Sequence, residues 1–431
     1  MKRTLASVSR KVLHVAARKL LAMLPTDTRF SMFRSMVDCD PQPDPRLQLK
    51  IADTQEELEA CFRILHDAYV ASGFMQPDPS GMRVTIYHAL PTTTTLCAKY
   101  DGQVVGTMSL IREGVFGFPL QSVFDLTSVR AKTGRIAEIS ALAVHPSFRK
   151  TGGTILFPLM KFMYEYCTTF FDTRHLVIAV NPNKIEMYES LLFFERLQES
   201  AVANYDFANG APAVGATLDL HRAPELMRQI YGRKKGRKNL HNYFVNTRLT
   251  NIVFPTRRYF TTNDPVMTPD MLDYFFNRKC NVFGSMEDRK KHLLHSIYDL
   301  GEYRRALPTA FASANNVHPL RKHQRFSLKS PGLLELNIDG LREAFRLRVV
   351  EVSLYGFKAE CDRALPLDLQ GSAGIELGAN ERSVVDCTAV RLEQTGGSRF
   401  YGFRIKEPDA SWRNCVNALE QGHTHLDLMA A

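Results

Sequence analysis

A strand pattern that runs into a basic, glycine-rich turn is the segment of this sequence best suited to chemistry. Residues 137–144 are mostly apolar, Arg149 and Lys150 follow, and Gly152 and Gly153 then precede an apolar helix pattern. Successive backbone N–H groups of such a turn, together with the N-terminus of the next helix, form a cradle for an anion. We therefore expect a phosphate group to bind here. The alternative is a plain glycine turn before a capped helix.

This turn resembles the acyl-donor motif of the GNAT acyltransferases, whose pattern is Gln/Arg-x-x-Gly-x-Gly/Ala. Arg149, Gly152 and Thr154 occupy its positions, although Thr154 stands where that family has Gly or Ala. Asn181 and Tyr188 resemble the later strand-to-helix segment of the family. The resemblance implies that the turn binds an acyl-phosphopantetheine donor and that Tyr188 protonates the leaving thiolate. The donor-binding residues that it implies are Val144, Arg149, Lys150, Gly152, Gly153, Thr154 and Asn181.

The strand before the turn carries Glu138 and Ser140. They resemble the Glu-x-Ser strand of the acyl-homoserine-lactone synthases, a GNAT branch that uses acyl carrier protein. The order of elements from about residue 47 to residue 220 is most similar to that of the related bacterial N-acyl amino acid synthases.

An amine must lose a proton before it attacks a thioester carbonyl, and a buried carboxylate is suited to accept that proton. We expect Glu138 to be this base and Ser140 to bind the substrate. Backbone N–H groups near Leu142–Val144 would polarise the carbonyl. The alternative for Glu138 is a structural carboxylate paired with an arginine such as Arg135.

A second group of residues could bind a nucleotide. Arg321 and Arg325 lie directly before a strand-rich segment, and Glu351, Ser353 and Gly356 follow on it. Paired guanidiniums grip phosphates and stack on purines, whereas a solvated basic turn is the alternative reading of the arginines.

Both pieces resemble the PilZ domain, whose motifs are Arg-x-x-x-Arg and Asp/Asn-x-Ser-x-x-Gly. The resemblance implies that cyclic di-GMP binds to the five residues. Glu351 occupies the Asp/Asn position, and its extra methylene is expected to weaken binding.

The chain of 431 residues has a net charge of +10, which suits a nucleic acid, a membrane surface, an acidic protein or a phosphorylated ligand. We expect no nucleic acid partner, because neither zinc-finger spacing nor an RNP-like strand occurs. An acidic acyl carrier protein would fit a basic surface. The eight cysteines are scattered without a CxxC pair, which predicts no metal site, no disulfide framework and a cytoplasmic location.

Residues 1–25 alternate basic and apolar side chains in the manner of an amphipathic helix, and no acidic residue precedes Asp27. Such a helix could lie on an anionic membrane, or it could dock on the protein itself. No run of 18 apolar residues occurs, so we expect no transmembrane helix.

The periodicity of apolar residues predicts an α+β protein of four parts. They are a basic N-terminal segment and linker over residues 1–45, a GNAT-like mixed-sheet acyltransferase domain over 46–222, an α-helical extension over 223–312 and a PilZ β-barrel over 313–431. In the first domain we expect strands at 47–52, 95–100, 104–112, 136–144 and 175–180, and helices at 56–72, 157–170 and 185–192. After it we expect helices at 271–276, 288–300 and 409–420, and strands at 333–338, 345–354, 357–361, 374–377, 383–392 and 399–405.

Together these features predict an N-acyltransferase that moves a fatty acyl group from acyl carrier protein, or from CoA, to the α-amine of an amino acid. No cofactor is expected to be bound permanently. Cyclic di-GMP would regulate the reaction through the helical extension and a hinge at residues 313–316. Two alternatives remain: a non-enzymatic cyclic di-GMP effector with a degenerate acyltransferase fold, and an acetyltransferase that uses acetyl-CoA.

Overall fold

The computed structural model describes residues 24–114, 116–149, 151–170, 173–254, 260–261, 267–298, 301–308, 325–338, 340–378, 381–395 and 398–421. Most of the proposed membrane-binding segment, Lys150, the hinge at 313–316 and Arg321 lie outside these residues. Among the helices described, none is long and apolar enough to cross a bilayer.

The N-terminal part of the chain is built on a sheet of eight strands. Its order is β1-β2-β3-β4-β5-β8-β6, with β7 paired to β8, and all pairs are antiparallel except β4–β5. This is the mixed sheet that the sequence predicts. The strands are β1 (Leu47–Ile51), β2 (Thr93–Tyr100), β3 (Gln103–Arg112), β4 (Arg135–Val144), β5 (Thr173–Val180), β6 (Glu195–Arg196), β7 (Val202–Tyr205) and β8 (Ala211–Asp219).

Helices cover the sheet on both faces, and local signals explain where they begin. The Thr54 side chain accepts a hydrogen bond from the backbone N–H of Glu57, as an N-cap does, and Gly73 ends the same helix with a left-handed backbone. The helices of this part are α1 (Thr26–Ser35), α2 (Gln55–Ser72), α3 (Thr127–Arg130), α4 (Leu156–Phe170), α5 (Pro182–Leu192) and α6 (Ala223–Tyr231).

The segment expected to form a helical extension packs into the N-terminal part. Tyr231, Tyr243 and Phe244 belong to the main core, while Phe275 packs edge-on against Phe62 of α2 at 5.2 Å between ring centroids. Burying these aromatic side chains against the sheet accounts for the tight association. The helices described here are α7 (Pro269–Asp273), a π-helix (Tyr274–Lys279) and α8 (Asp288–Ile297).

The basic run at 233–238 is in part a structural contact. Arg237 binds Asp38 through Nε at 2.6 Å and Asp40 through Nη1 at 2.8 Å, so it fastens the proline-rich linker to the rest of the chain. Arg237 therefore has a structural role, and its charge is not fully free to bind an acidic partner.

The C-terminal part is a closed antiparallel barrel of six strands. Their order is β11-β12-β15-β14-β13-β10, and pairing of β10 with β11 closes the barrel. The short strand β9 (Phe260–Thr261) adds to β10. The barrel strands are β10 (Phe326–Ile338), β11 (Leu341–Ser353), β12 (Gly356–Glu360), β13 (Gln370–Gly378), β14 (Glu381–Thr395) and β15 (Ser398–Ile405).

A C-terminal helix, α9 (Ala410–Gln421), closes the barrel core. Its Trp412 is fully buried against Phe357, and the indole Nε1–H donates to the carbonyl of Ser353 at 3.0 Å. The helix thereby holds the end of β11, where two of the residues predicted to bind a nucleotide lie.

Candidate functional site

A β-bulge in β4 shapes the N-terminal site. The register between β3 and β4 shifts so that Ala141 and Leu142 both stand opposite Met108, and Ala141 has a left-handed backbone with φ of 55°. A non-glycine residue in this conformation is strained and is common at functional sites. β4 pairs with β5 only along its first residues, up to Glu138.

A cavity of about 440 Å³ lies where β4 and β5 separate. Its wall combines the bulge with apolar side chains of α4 and β5 and with the start of α5. Of the predicted site residues, Ser140, Asn181 and Tyr188 line it. The lining residues are Tyr69, Ser72, Phe74, Met108, Ile139, Ser140, Ala141, Leu142, Met160, Met163, Ile178, Ala179, Val180, Asn181, Asn183, Lys184, Tyr188, Leu192 and Phe194.

Glu138 lies on β4 before the bulge, with a side chain only 2% exposed. Its Oε2 accepts a hydrogen bond from the backbone N–H of Leu120 at 3.1 Å. Burial raises the pKa of the Glu138 carboxyl to about 8, and the bond from Leu120 offsets this only in part. The carboxylate form of a group with this pKa holds a proton more tightly than an ordinary carboxylate does, so it is a stronger base towards an ammonium group.

Tyr188 faces the cavity from α5, and burial raises the pKa of its phenol to about 12. The hydroxyl therefore keeps its proton at neutral pH and can donate it. Asn181 is the N-cap of the same helix, since its side chain accepts from the backbone N–H of Asn183 at 3.0 Å. Asn181 thus has a structural role as well as a place in the cavity wall.

The glycine turn has the backbone that the sequence predicts. Gly152 and Gly153 have φ of 72° and 88°, which favours glycine at both positions. A Cβ on Gly153 would lie 2.6 Å from the ring of Phe157, whereas a Cβ on Gly152 would lie 3.5 Å from Asp38 Oδ2. The turn therefore faces an acidic side chain, which Arg237 neutralises.

Two residues of the proposed donor cradle make internal contacts. The Arg149 guanidinium donates from Nε to the carbonyl of Val144 at 2.8 Å, and the hydroxyls of Thr154 and Thr151 are 2.7 Å apart. Neither Val144 nor the residues of the turn line the cavity. The turn therefore follows the end of β4 but does not belong to the cavity wall that carries Ser140 and Tyr188.

The residues around Glu138 were not found from the sequence. Burial, and then the charge of Glu138, raise the pKa of Tyr69, Tyr87 and Tyr205. Tyr69 also lines the cavity and interacts electrostatically with Tyr188. These tyrosines are scattered along the chain without a motif, so no spacing could have indicated them.

The C-terminal barrel has a pocket of about 130 Å³ that contains four of the predicted nucleotide-binding residues, Arg325, Glu351, Ser353 and Gly356. Arg325 Nη1 binds Glu351 Oε1 at 2.9 Å, and Ser353 Oγ donates to the carbonyl of Gly356 at 3.1 Å. A Cβ on Gly356 would lie 2.6 Å from the Phe403 carbonyl oxygen, so strand packing alone also requires glycine there.

The same pocket contains cationic and aromatic side chains that the sequence did not indicate. Lys358, Arg391 and Phe400 line it, and the two cations both bind Glu393 Oε2, at 2.9 and 2.8 Å. The pocket therefore contains two further cations and an aromatic ring besides Arg325.

A family model matches the N-terminal part of the chain. The model of the N-acyl amino acid synthase FeeM family matches residues 60–219, which is less than half of the chain. No curated protein matches the chain significantly.

Solved structures similar to the N-terminal part include FeeM from uncultured soil microbes, with 24% identity, a TM-score of 0.37, and coverage of 43% of this chain and 99% of that one. The CoA-dependent acyl-homoserine lactone synthase BjaI has 18% identity and a TM-score of 0.33, and the match covers 44% of this chain and 91% of that one. The acyl-homoserine lactone synthase LasI has 16% identity and a TM-score of 0.32, and the match covers 40% of this chain and 90% of that one.

The family match covers the strands and helices that surround the cavity, from α2 to β8. The chain is therefore an acyltransferase, with a GNAT-like mixed sheet in its N-terminal part and a separate six-stranded antiparallel barrel in its C-terminal part.

Proposed function

We propose that the chain is an N-acyl amino acid synthase that takes a fatty acyl group from a phosphopantetheine thioester on acyl carrier protein. The observation that carries this proposal is the buried Glu138 carboxyl, which has a raised pKa and interacts electrostatically with Tyr69, a residue in the wall of an apolar cavity. The methionines and isoleucines of this wall suit an acyl chain.

The proposed reaction is a direct transfer without an acyl-enzyme. The ammonium of the amino acid gives one proton to Glu138, which passes it to solvent. The amine nitrogen then attacks the thioester carbonyl, the C–N bond forms and the C–S bond breaks. The sulfur takes a proton from Tyr188, and the second proton of the nitrogen restores the phenol, so one proton is released per amide formed.

The bulge would stabilise the oxygen of the tetrahedral intermediate. Because Ala141 and Leu142 share a single partner on β3, the bulge leaves backbone groups outside the regular ladder. N–H groups near Leu142–Val144 are suited to bind the developing oxyanion. Ser140, two residues after Glu138, would bind the substrate from the same strand.

Mass spectrometry of lipids from an overexpressing bacterium tests this function. We expect N-acyl amino acids to accumulate with the wild-type chain and not with Glu138→Gln. The purified chain should then form the same product from acyl carrier protein and, for comparison, from acyl-CoA and acetyl-CoA. Transfer of acetyl groups alone, or accumulation of product with Glu138→Gln at the wild-type level, would refute the proposal.

We further propose that the barrel is a PilZ domain that binds cyclic di-GMP and regulates transfer. The support is a pocket that joins Arg325 to Ser353 and Gly356 and adds Lys358 and Arg391. Its cations suit a ligand with two phosphates, and its aromatic ring suits a purine. In the structure Glu351 is paired with Arg325, and this pair must open if Glu351 is to accept hydrogen bonds from guanine.

Calorimetry with cyclic di-GMP and the full chain tests the barrel proposal. We expect binding to the wild-type chain, weaker binding to Arg325→Ala, and stronger binding to Glu351→Asp, which restores the shorter carboxylate of the motif. Arg363→Ala is a matched control, because Arg363 pairs with Glu343 outside the pocket. Equal affinity of the wild-type, Arg325→Ala and Arg363→Ala chains would show that the ligand does not use this pocket.

A further inference from the structure

Arg83 is a partly buried cation next to the proposed active site. Its guanidinium carbon lies 4.1 Å from the ring centre of Tyr69 and 4.9 Å from that of Phe207, and Nη2 donates to the Phe207 carbonyl at 2.7 Å. In the part of the chain that the structure describes, no ion pair involves Arg83. A guanidinium held between two rings without a carboxylate partner retains donors for an anionic ligand.

The hydroxyl of Tyr205 is a second, independent sign of a ligand. Tyr205 is 4% exposed, and its hydroxyl has no hydrogen-bond partner within the residues described. Leaving a buried hydroxyl without a partner costs free energy, so such a group usually has an explanation in function or in a bound molecule. The ring of Tyr205 lies 5.9 Å from that of Phe207, which stacks on Arg83.

Both groups lie beside the base and the cavity. Arg83 interacts electrostatically with Tyr205 and Tyr69, and Glu138 interacts with the same two phenols. Tyr69 forms part of the cavity wall together with Ser140 and Tyr188. A small molecule that contacts Arg83 and Tyr205 would therefore have its other polar group near Glu138.

We propose that Arg83 binds the α-carboxylate of the amino acid acceptor, with a second hydrogen bond from the Tyr205 hydroxyl, and so presents the α-amine to Glu138. This inference rests on the proposed N-acylation. The α-carboxylate and the α-amine of an amino acid are joined through one carbon, so fixing the first group at Arg83 limits where the second can lie. Arg83 and Tyr205 are thus specificity-determining residues that select amino acids over simple amines.

The test compares an amino acid with its carboxamide as acceptors at saturating acyl donor. We expect the wild-type chain to prefer the carboxylate by about 10- to 100-fold in kcat/KM, which is the range for hydrogen bonds to a charged group. In Arg83→Gln this preference should fall towards equality through the KM of the amino acid. The KM of the acyl donor and the rate with the carboxamide should change little.

Tyr205→Phe keeps the test decisive if Arg83→Gln does not fold. Removing a buried hydroxyl that has no partner should not lower the melting temperature, while the preference for the carboxylate should fall about fivefold. Tyr243→Phe is the matched control: it also removes a buried hydroxyl without a described partner, but its ring packs on Phe157 and Phe244 in the main core. Its preference should equal that of the wild type.

Two outcomes would overturn the role of Arg83 and leave the proposed N-acylation standing. The first is a wild-type chain that acylates both acceptors equally well. The second is a preference for the carboxylate that is unchanged in both Arg83→Gln and Tyr205→Phe. If neither acceptor is acylated, the proposed function fails. Calorimetric binding of the two acceptors to the wild-type and Tyr205→Phe chains then decides the role of this site, since tighter binding of the carboxylate supports it and equal binding overturns it.

Discussion

The guanidinium of Arg135 donates from Nη2 to the carbonyl oxygen of Val350 at 3.0 Å. Arg135 begins β4, the strand that carries Glu138, whereas Val350 lies in β11 directly before Glu351. This hydrogen bond joins the strand of the proposed base to the strand of the proposed dinucleotide site. It offers a shorter route between them than the helical extension and hinge that the sequence suggested.

Replacing Arg135 should weaken communication between the two sites. In Arg135→Met, cyclic di-GMP should bind the barrel with unchanged affinity, but its effect on the acylation rate should shrink because the direct contact is lost. Calorimetry and steady-state rates measure the two quantities on the same protein. Arg130→Met, which loses an exposed pair with Glu113, is the control. A dinucleotide effect of the wild-type size in Arg135→Met would exclude this route.

The raised pKa of Glu138 predicts how acylation depends on pH. Only the carboxylate form accepts a proton, and below about pH 8 the carboxyl is mostly protonated. The kcat should therefore rise with pH up to about 8 and then level off. Glu138→Gln should lower kcat by about 10²- to 10⁴-fold, the usual contribution of a general base, and should lose this rise. A Gln variant that keeps both the rate and the pH profile would show that another group accepts the proton.

The same pKa predicts that Glu138 lowers stability at higher pH. The unfolded chain releases this proton near pH 4.5, whereas the folded chain holds it to about pH 8. The folded state binds more protons in this window, so the free energy of unfolding falls as the pH rises through it. At pH 8, Glu138→Gln should be more stable than the wild type by an amount on the order of a few kcal/mol. At pH 4.5 the two proteins should differ little in stability. Urea denaturation at the two pH values gives the difference, and a constant difference would contradict this account.

Tyr188→Phe should slow the reaction without weakening substrate binding. The phenol keeps its proton up to about pH 12, so it can serve the leaving sulfur at any working pH. We expect kcat to fall about 100-fold with an unchanged KM for the amino acid. Tyr164→Phe, on α4 and outside the cavity wall, should retain the wild-type kcat. If the two variants have the same kcat, the thiolate leaves without help from Tyr188.

Alanine at the two turn glycines should separate backbone strain from steric overlap. Both positions have positive φ, which costs a residue with a Cβ about 1–2 kcal/mol. Gly153→Ala must in addition displace the ring of Phe157, while Gly152→Ala meets only ordinary contact with Asp38. Gly153→Ala should therefore unfold at a clearly lower urea concentration than Gly152→Ala. Equal midpoints would mean that the Phe157 ring moves freely.

Features with a local cause could be predicted from the sequence. An Asp-Gly pair is typical of a tight hairpin turn, and Asp101 and Gly102 have the positive φ values, 50° and 79°, that this turn requires. A threonine is likewise a common N-cap, and Thr54 caps α2. The strands of the barrel were likewise expected, because alternation and turn residues mark them. Several of these strands extend further than predicted, as β10 does, because pairing continues beyond the apolar residues.

Features that depend on distant parts of the chain could not be predicted. Nothing near Ala141 indicates a bulge, because β3 sets the register. Which apolar side chains line the cavity also depends on the fold, since Phe162 belongs to the main core while Met160 and Met163 of the same helix line the cavity. The sequence did not predict the strands β7 and β8. It also did not indicate a role for Arg83, because that role depends on a contact with Phe207, far along the chain.

The helix α1 lies on α5, where Arg29 binds Glu186 at 2.8 Å and Arg34 Nε donates to the carbonyl of Ser190 at 3.0 Å. Tyr188 lies between these two attachment points in the chain. Shortening the protein from its N-terminus therefore has a natural stopping place at Pro25. A protein that begins at Val37 would lack α1, so one side of α5, the helix that carries Tyr188, would be open to water. A loss of turnover in that protein would therefore be explained by the disturbed helix and would not be evidence of membrane binding.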